Sequence, residues 1–294
     1  MKVEMSNSLE FVRGAARFAD LVYILSKGKT LLEQDIAHTS AVAVDRGSWQ
    51  GVENTDWDST AIAVAKKPLE KLVFVGEDGD VCTYVGGKST REKIKPAPIL
   101  IRNAKTIKGL VHVCGMRRQL YRRIDECNWI DISAPFSEAN EEAGFEAIDG
   151  FAIEELYAVG WNGEIWQYND TKWINRDSPT NVILTSICCA ADETVYIGGR
   201  EGALLKGRKD SWEIIKWEDN IDVDIWDLCW FNNTLYVATT SYLYTLNGNQ
   251  LDEVDFGEVD VSSCFSLTES DGVLWSIGNK DVLSFDGTSW KRYD

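Results

Sequence analysis

The fold of this chain is indicated by the stretch Val195-Tyr196-Ile197-Gly198-Gly199-Arg200-Glu201-Gly202-Ala203-Leu204-Leu205-Lys206. Two short alternating runs separated by turn residues are typical of a β-hairpin. The first run recurs as Leu156-Tyr157-Ala158-Val159-Gly160, Leu235-Tyr236-Val237-Ala238-Thr239 and Leu274-Trp275-Ser276-Ile277-Gly278. Successive copies begin 39 or 40 residues apart. A fixed period of this length is typical of a protein built from repeated small sheets.

Each copy continues with a second alternating run, a turn and a large apolar residue. In three copies the turn has hairpin chemistry, at Asn169-Asp170, Asn247-Gly248 and Asp286-Gly287. The large residue follows the start of its copy by 16 or 17 positions and is Trp173, Trp212, Leu251 or Trp290. Two hairpins in each period predict four antiparallel strands. Because large rings at equivalent positions pack neighbouring sheets together, we interpret Trp129, Trp173, Trp212 and Trp290 as structural.

The first half follows the same pattern at longer and less regular intervals. Runs at Leu110–Val113, Leu72–Gly76 and Leu21–Ile24 complete a set of seven, and Thr30–Leu32 follows the earliest as its second run. Seven units in 294 residues give 42 residues each, close to the observed period. We therefore predict an all-β fold, a seven-bladed β-propeller of four-stranded antiparallel blades, as a single domain over residues 1–294. Six blades is the alternative, because Gly14–Ala19 also suits a short amphipathic helix.

The repeats resemble those of bacterial sensor-type and quinoprotein-like β-propeller proteins. The resemblance rests on Val195–Leu204 and Leu274–Trp290, covers most of the second half, and implies the propeller fold without implying an activity. A classical WD40 pattern is not present, because Trp226-Asp227 falls on a predicted innermost strand. A kelch pattern is not present either, because the doublets Gly198-Gly199 and Gly86-Gly87 do not recur in every repeat.

The residue inventory argues against catalysis. The two histidines, His38 and His112, lie in predicted strands, and we interpret both as hydrogen-bonded structural residues. His112 and Cys114 are the one close pair of metal-ligand types, and a pair does not make the four ligands of a zinc site. Seven cysteines without a C-x-x-C pair predict reduced thiols in a cytosolic protein. We expect no catalytic residue, no metal and no cofactor.

Two other functions remain as alternatives. A glycoside hydrolase-like enzyme would gather at least two carboxylates and a base in the central funnel, whereas a binding module would have an apolar or plugged channel. Ser284–Trp290 is similar to the Asp-box of sialidase-like propellers, but it occurs once and lacks one residue, so Asp286-Gly287 is better read as a hairpin turn. A carbohydrate- or small-molecule-binding propeller would have one site only, because Trp161 has no counterpart in the other repeats.

The net charge predicts the chemistry of a partner. Thirty basic and 47 acidic residues give a formal charge of −17, which disfavours binding to nucleic acid or an anionic membrane. Four segments without Lys or Arg contain 17 acids, and they are Glu53–Asp58, Phe136–Ala147, Trp217–Asp227 and Asp252–Asp260. In the blade register each segment lies at or beside the passage from the outermost strand of one blade to the innermost strand of the next. All such passages meet on one rim, which would attract a basic protein.

We predict a partner-binding site on this rim, because aromatic residues among charges are typical of protein interfaces. Its residues are Asp56, Trp57, Asp58, Glu141, Glu142, Trp161, Trp217, Glu218, Asp219, Asp222 and Asp224. By analogy of charge and size with bacterial immunity proteins, the partner would be a basic protein such as a toxin domain. We expect a non-enzymatic cytoplasmic protein, because no secretory leader is recognised, and a monomer when free. The alternative interpretation is that the acidic loops only keep the protein soluble.

Overall fold

The seven apolar runs identified in the sequence all form strands, and each is the second strand of a four-stranded antiparallel sheet. The computed structural model describes residues 5–138, 143–217 and 223–293. The first strand of each sheet contacts the first strands of both neighbouring sheets, so the seven sheets form a closed ring around a central channel. The predicted seven-bladed β-propeller is confirmed. The six-blade alternative is wrong, because Gly14–Ala19 lies largely in an extended strand whose small residues fit the ring centre.

Each blade consists of four consecutive strands. Blade 1 contains β1 (Leu9–Phe18), β2 (Leu21–Gly28), β3 (Thr39–Asp45) and β4 (Ser48–Thr55), and blade 2 contains β5 (Ser59–Ala65), β6 (Lys71–Gly76), β7 (Asp80–Val85) and β8 (Lys88–Lys93). Blade 3 contains β9 (Ile101–Ile107), β10 (Leu110–Gly115), β11 (Leu120–Asp125) and β12 (Asn128–Asp131), and blade 4 contains β13 (Phe145–Ala152), β14 (Glu155–Gly160), β15 (Ile165–Tyr168) and β16 (Trp173–Arg176). Blade 5 contains β17 (Leu184–Cys189), β18 (Val195–Gly199), β19 (Leu204–Arg208) and β20 (Ser211–Ile214), and blade 6 contains β21 (Asp227–Phe231), β22 (Thr234–Ala238), β23 (Leu243–Asn247) and β24 (Gln250–Glu253). Blade 7 contains β25 (Ser266–Ser270), β26 (Val273–Ile277), β27 (Val282–Phe285) and β28 (Trp290–Arg292).

Helical structure in the described residues is confined to short segments. They include the 3₁₀ turns Met5–Asn7 and Trp161–Gly163 and the α-helix α1 (Lys29–Glu33). The predicted strand at Thr30–Leu32 is wrong, because these residues lie in α1, and the third strand of blade 1 is β3. His38, also predicted in a strand, lies in the loop just before β3. None of the described helices is long and apolar enough to cross a bilayer.

The blades pack face to face, which explains why the second strands are mostly apolar. All residues of β6 and β18 are buried, as expected for a strand covered on both sides by neighbouring sheets. The outermost strands carry the predicted large rings. Trp173 packs against Phe145 with ring centroids 6.0 Å apart, and Trp212 packs edge-on against Tyr157 at 5.9 Å. The structural interpretation of these tryptophans is confirmed.

Polar side chains on the first strands link successive blades. One carboxylate oxygen of Asp149 accepts a hydrogen bond from the backbone N–H of Cys189 at 2.9 Å. Asp227 makes the equivalent contact two blades later, accepting from the N–H of Leu267 at 2.9 Å. These carboxylates satisfy backbone donors that would otherwise be unpaired between two sheets.

Blades 2 and 3 are joined by a buried ion pair. Arg123 on β11 donates two hydrogen bonds, of 3.1 and 2.6 Å, to the carboxylate of Glu92 on β8. The side chains are 2% and 0% exposed. The indole Nε1 of Trp129 also donates to Glu92, at 3.3 Å.

The ring closes between blades 7 and 1 without a shared strand. The N–H of Phe11 donates to the carbonyl of Asn279 at 3.0 Å, and the N–H of Ala16 donates to Thr268 Oγ1 at 3.0 Å. Trp275 is fully buried at this seam in one apolar cluster with Phe11 and Ile277. Side-chain packing and a few hydrogen bonds therefore hold the seam together.

Candidate protein-binding face

The described residues of the predicted site lie in connections on one side of the ring. Because neighbouring strands alternate in direction, the passages between blades and the loops between second and third strands share this side. We call it the passage face. The described residues of its passages are 56–58, 94–100, 132–138, 143–144, 177–183, 215–217, 223–226 and 254–265. Its loops are 29–38, 77–79, 116–119, 161–164, 200–203, 239–242 and 278–281. Direct contacts join the two sets, since the N–H of Trp161 donates to Gly144 at 3.0 Å and that of Gly202 donates to Val223 at 2.9 Å.

The described acids of the predicted site all lie on the passage face. Asp56 is exposed, whereas Asp58 is half-buried and pairs with Lys27 at 2.8 Å. Burial alone would raise the pKa of Asp58, but hydrogen bonds from Lys27 and from the N–H of His38 outweigh it and lower that pKa. Asp224 accepts a hydrogen bond from the N–H of Glu201 at 3.1 Å. Five further predicted site residues, Glu141, Glu142, Glu218, Asp219 and Asp222, lie outside the described residues.

The three predicted tryptophan anchors lie on the same face but are half-buried. Trp57 stacks under the guanidinium of Arg91 at 5.0 Å and fills the space beside Gly76, where an added Cβ would lie 2.5 Å from its ring. The indole Nε1 of Trp161 donates to Glu146 at 2.6 Å. That of Trp217 donates to the carbonyl of Gly202 at 3.2 Å. Each ring therefore has contacts within the propeller in addition to its open edge.

The sequence reasoning missed the most exposed apolar side chains of this face. Among the described residues, most large hydrophobic side chains that are over a third exposed belong to the passage face, and they are Leu31, Leu32, Ile36, Ile99, Leu100, Trp226 and Tyr242. Leu31 and Leu32 had been predicted in a strand. Trp226 had been predicted inside an innermost strand, but β21 begins one residue later.

On the opposite face, the exposed large apolar residues are Phe18 and Leu69. The ring of Phe18 is covered by the cations of Arg17 and Lys66, at 4.9 and 5.5 Å. The two faces therefore differ in the apolar surface that they offer to a partner.

Exposed acids outnumber exposed bases in the described part of the passage face. The acids are Glu33, Asp35, Asp56, Asp78, Glu138, Asp177, Glu201, Asp255, Glu258 and Asp260. The bases are Lys95, Arg117, Arg200, Lys216 and Lys280. Other acids of this face are neutralised internally, as in the pair of Glu164 with Arg118 at 2.5 Å.

The central channel is polar, which contradicts the expectation of an apolar or plugged channel for a binding module. Its cavity of about 430 Å³ is lined by residues that include Arg13, Lys105, Asp227 and Glu269. The Asp149 carboxylate, 4.0 Å from Lys105, raises the pKa of that lysine against the effect of burial. Burial raises the pKa of Asp227 and of Glu269. The polarity has a structural cause, because carboxylates on the first strands bond backbone groups of the next blade and Lys105 balances their charge.

Both histidines are structural, as predicted. Arg122 donates to His112 Nε2 at 2.8 Å, and the ring is fully buried. His38 Nε2 accepts from the N–H of Gly28 at 2.7 Å, and its Nδ1 lies 2.7 Å from the carbonyl of Ile36. Within residues 5–138, 143–217 and 223–293, no three His, Cys, Asp or Glu side chains are grouped so that they could hold a metal ion.

Comparison with known proteins identifies one full-length relative. The chain is 43% identical over 307 residues to the immune protein Tsi7 of Pseudomonas aeruginosa strain PAO1, covering 100% of both chains. No protein-family model matches the chain.

Solved structures with low sequence identity share the fold. The WD40 propeller domain of Doa1 superposes with a TM-score of 0.70 at 10% identity, covering 97% of this chain and 92% of that one. Virginiamycin B lyase from Staphylococcus aureus gives 0.65 at 11% identity, with 80% and 83% covered. The extracellular domain of the two-component system BT4673 from B. thetaiotaomicron gives 0.70 at 13% identity, with 96% and 38% covered. The resemblance to propeller repeat proteins is thereby confirmed.

Proposed function

The chain belongs to the family of the immune protein Tsi7, and from this we propose that it is an immunity protein that binds a toxin protein and blocks its action. The observation that carries the proposal is the 43% identity over the full length of both chains. The propeller fits a binding role, because a rigid ring of sheets presents loops from several blades on one face. In this proposal the protein acts by binding, in the cytoplasm, and performs no catalysis on the toxin.

The passage face is the proposed contact surface, and its charge supports a basic partner. Exposed acids such as Asp56, Glu138 and Glu258 lie in passages between different pairs of blades and add to one negative field. Such a field accelerates encounter with a basic protein and fixes its orientation. The exposed rings of Trp226 and Tyr242, 37% and 47% exposed, would then supply apolar contact. In this proposal the predicted residues Asp56, Trp57, Asp58, Trp161, Trp217 and Asp224 form the surrounding contacts, together with Glu141, Glu142, Glu218, Asp219 and Asp222.

Affinity capture followed by a growth assay tests the proposal. The tagged chain is used to capture proteins from a lysate of the bacterium that produces it, and each captured protein is then expressed in a test bacterium with and without the chain. We expect one captured protein to stop growth alone and to be harmless when the chain is present. Captured proteins that are all harmless, or toxicity that the chain does not relieve, would refute the proposed function.

A matched pair of charge reversals tests the face. Asp56→Lys with Glu258→Lys changes two exposed acids of the passage face, and Asp20→Lys with Glu154→Lys changes two exposed acids of the opposite face by the same total charge. The first pair should weaken toxin binding about 10-fold or more, equivalent to about 1.4 kcal/mol. It should also reduce the salt dependence of binding, because it removes charges that attract a basic partner. The second pair should leave binding nearly unchanged. Equal effects of the two pairs would assign the effect to net charge rather than to this face.

The polar channel supports a second candidate function, glycoside hydrolysis by funnel carboxylates. Asp227 and Glu269 lie with Lys105 in the channel, where hydrolytic propellers place their acids. However, both oxygens of Asp227 accept backbone N–H bonds, from Leu228 and Leu267, each at 2.9 Å. Release of aryl alcohol from chromogenic glycosides, abolished by Glu269→Gln, would support this candidate. No release across a panel of glycosides would remove it.

A further inference from the structure

Loop 29–38 of blade 1 differs from its counterparts in the other blades. It has ten residues and contains α1, whereas the other six loops between second and third strands have three or four residues each. The extra residues are not needed to connect two adjacent antiparallel strands, which a tight turn can join. The insertion therefore adds surface to the passage face without adding to the blade.

The insertion exposes three large apolar side chains. Leu31, Leu32 and Ile36 are 39%, 41% and 47% exposed. Glu33 and Asp35, between them, are exposed and form no ion pair with any residue in the described part of the chain. Apolar side chains surrounded by charge are the composition of an interface centre with a polar rim. The surface is thus both apolar and negatively charged.

The base of the loop is held by His38. Its Nε2 accepts from the N–H of Gly28 at 2.7 Å on one side of the insertion, and its Nδ1 contacts the carbonyl of Ile36 at 2.7 Å on the other. The backbone N–H of His38 donates to Asp58 at 3.1 Å, which fixes the loop to the neighbouring passage. A loop ordered before binding loses less conformational entropy when its partner arrives.

We propose that loop 29–38 is the apolar anchor of the toxin interface, with Leu31, Leu32 and Ile36 entering an apolar pocket on the toxin. Lys or Arg side chains at the edge of that pocket would pair with Glu33 and Asp35. This inference rests on the proposed function. Charge complementarity favours a basic toxin over a second copy of this chain, because two copies would bring the same unpaired acids together.

The test compares two apolar surfaces of one protein. The wild-type chain, Leu31→Ser with Leu32→Ser, and Leu69→Ser are titrated with the purified toxin recovered by the capture experiment. Leu69 is 56% exposed and lies on the opposite face, so its variant is the matched control. We expect the loop variant to bind at least 30-fold more weakly, mainly through faster dissociation, with the salt dependence of binding unchanged. The control should bind within twofold of wild type.

Several outcomes would overturn the inference. If the loop variant has the wild-type unfolding midpoint and binds toxin with wild-type affinity, the anchor inference is refuted and the proposed function is not. If the wild-type chain captures no toxin, the anchor inference and the proposed function are both refuted. A concentration-dependent dimer of the free chain that the loop variant abolishes would identify a second copy as the occupant. Hydrogen exchange on the unmodified chain provides a second readout, since toxin should slow exchange of the amides of residues 34–36. Unchanged exchange there in the saturated complex would also refute the anchor.

Discussion

Replacing Arg123 alone should destabilise the propeller far more than replacing Arg123 together with Glu92. The two side chains are 2% and 0% exposed and are joined by two hydrogen bonds between blades 2 and 3. In Arg123→Met, the Glu92 carboxylate stays buried, and among the described residues the indole N–H of Trp129 is its one remaining hydrogen-bond partner. Breaking a buried ion pair on one side costs about 3 to 5 kcal/mol, because the remaining charge is uncompensated. We expect a loss of that size.

In the double variant Arg123→Met with Glu92→Leu, both charges are removed and apolar side chains of similar volume replace them. Such replacements are often neutral or stabilising by about 1 to 4 kcal/mol. The indole N–H of Trp129 then loses its acceptor, which costs about 1 to 3 kcal/mol. The two effects roughly cancel, so the double variant should lie within about 1 kcal/mol of wild type. The two substitutions are therefore strongly coupled.

Urea unfolding of wild type, Arg123→Met, Glu92→Leu and the double variant measures the coupling between the two side chains. Tryptophan fluorescence and circular dichroism should be followed together, because coincident transitions justify a single free energy of unfolding. A cost below about 1 kcal/mol for Arg123→Met would refute the reasoning on uncompensated charge. A double variant as unstable as the sum of the two single variants would do the same, since it would mean that the pair is not coupled.

Two further predictions concern stability. Trp275→Ala at the seam should cost about 3 to 5 kcal/mol. Trp275→Phe should be much milder, because the buried Nε1 has no hydrogen-bond partner in the described part of the chain. Equal losses of stability in calorimetry would contradict this. Burial and the charge of Arg122 lower the pKa of His112 to about 3, so between about pH 6.5 and 3 only the unfolded chain binds this proton. Stability should therefore fall by about 1.4 kcal/mol for each pH unit below 6.5, and His112→Gln should reduce that slope in urea unfolding measured from pH 7 to 4.

The blade architecture was predictable because it is repeated. The second strand of each blade is covered on both faces, so most of its residues are apolar in every copy. Seven such runs could therefore be aligned by eye. The turn at Asp286-Gly287 was predictable for a local reason. Asp286 Oδ1 accepts hydrogen bonds from the N–H groups of Thr288 and Ser289, at 2.8 and 2.9 Å, which any Asp in such a turn can do.

Features that depend on packing between blades were not predictable. Arg123 and Glu92 are 31 residues apart and belong to different blades, and nothing in either local sequence indicates that they meet. The helix α1 was missed because Thr30–Leu32 fits a short strand as well as a helical turn, and the choice depends on the loop around it.

The candidate face was predictable and its exposed side chains were not. Strand order alone puts the passages on one side of the ring. Whether a tryptophan projects or folds back depends on its neighbours: Trp161 bonds Glu146 and is half-buried, whereas Trp226 is 37% exposed. An unusually long loop was the sequence signal that could have identified Leu31 and Leu32, once the strands on either side were known.

The seam between blades 7 and 1 is the boundary at which the last blade of the chain meets the first. Six joints between blades are crossed by the chain itself, but this joint is held only by contacts such as those of Trp275 and Phe11. Local opening should therefore begin here, well below the cost of global unfolding. Loop 29–38 belongs to blade 1, next to that joint. A toxin that contacted both this loop and blade 7 would bind only when the seam is closed. Binding would therefore stabilise the closed ring, and a closed ring would bind the toxin more tightly.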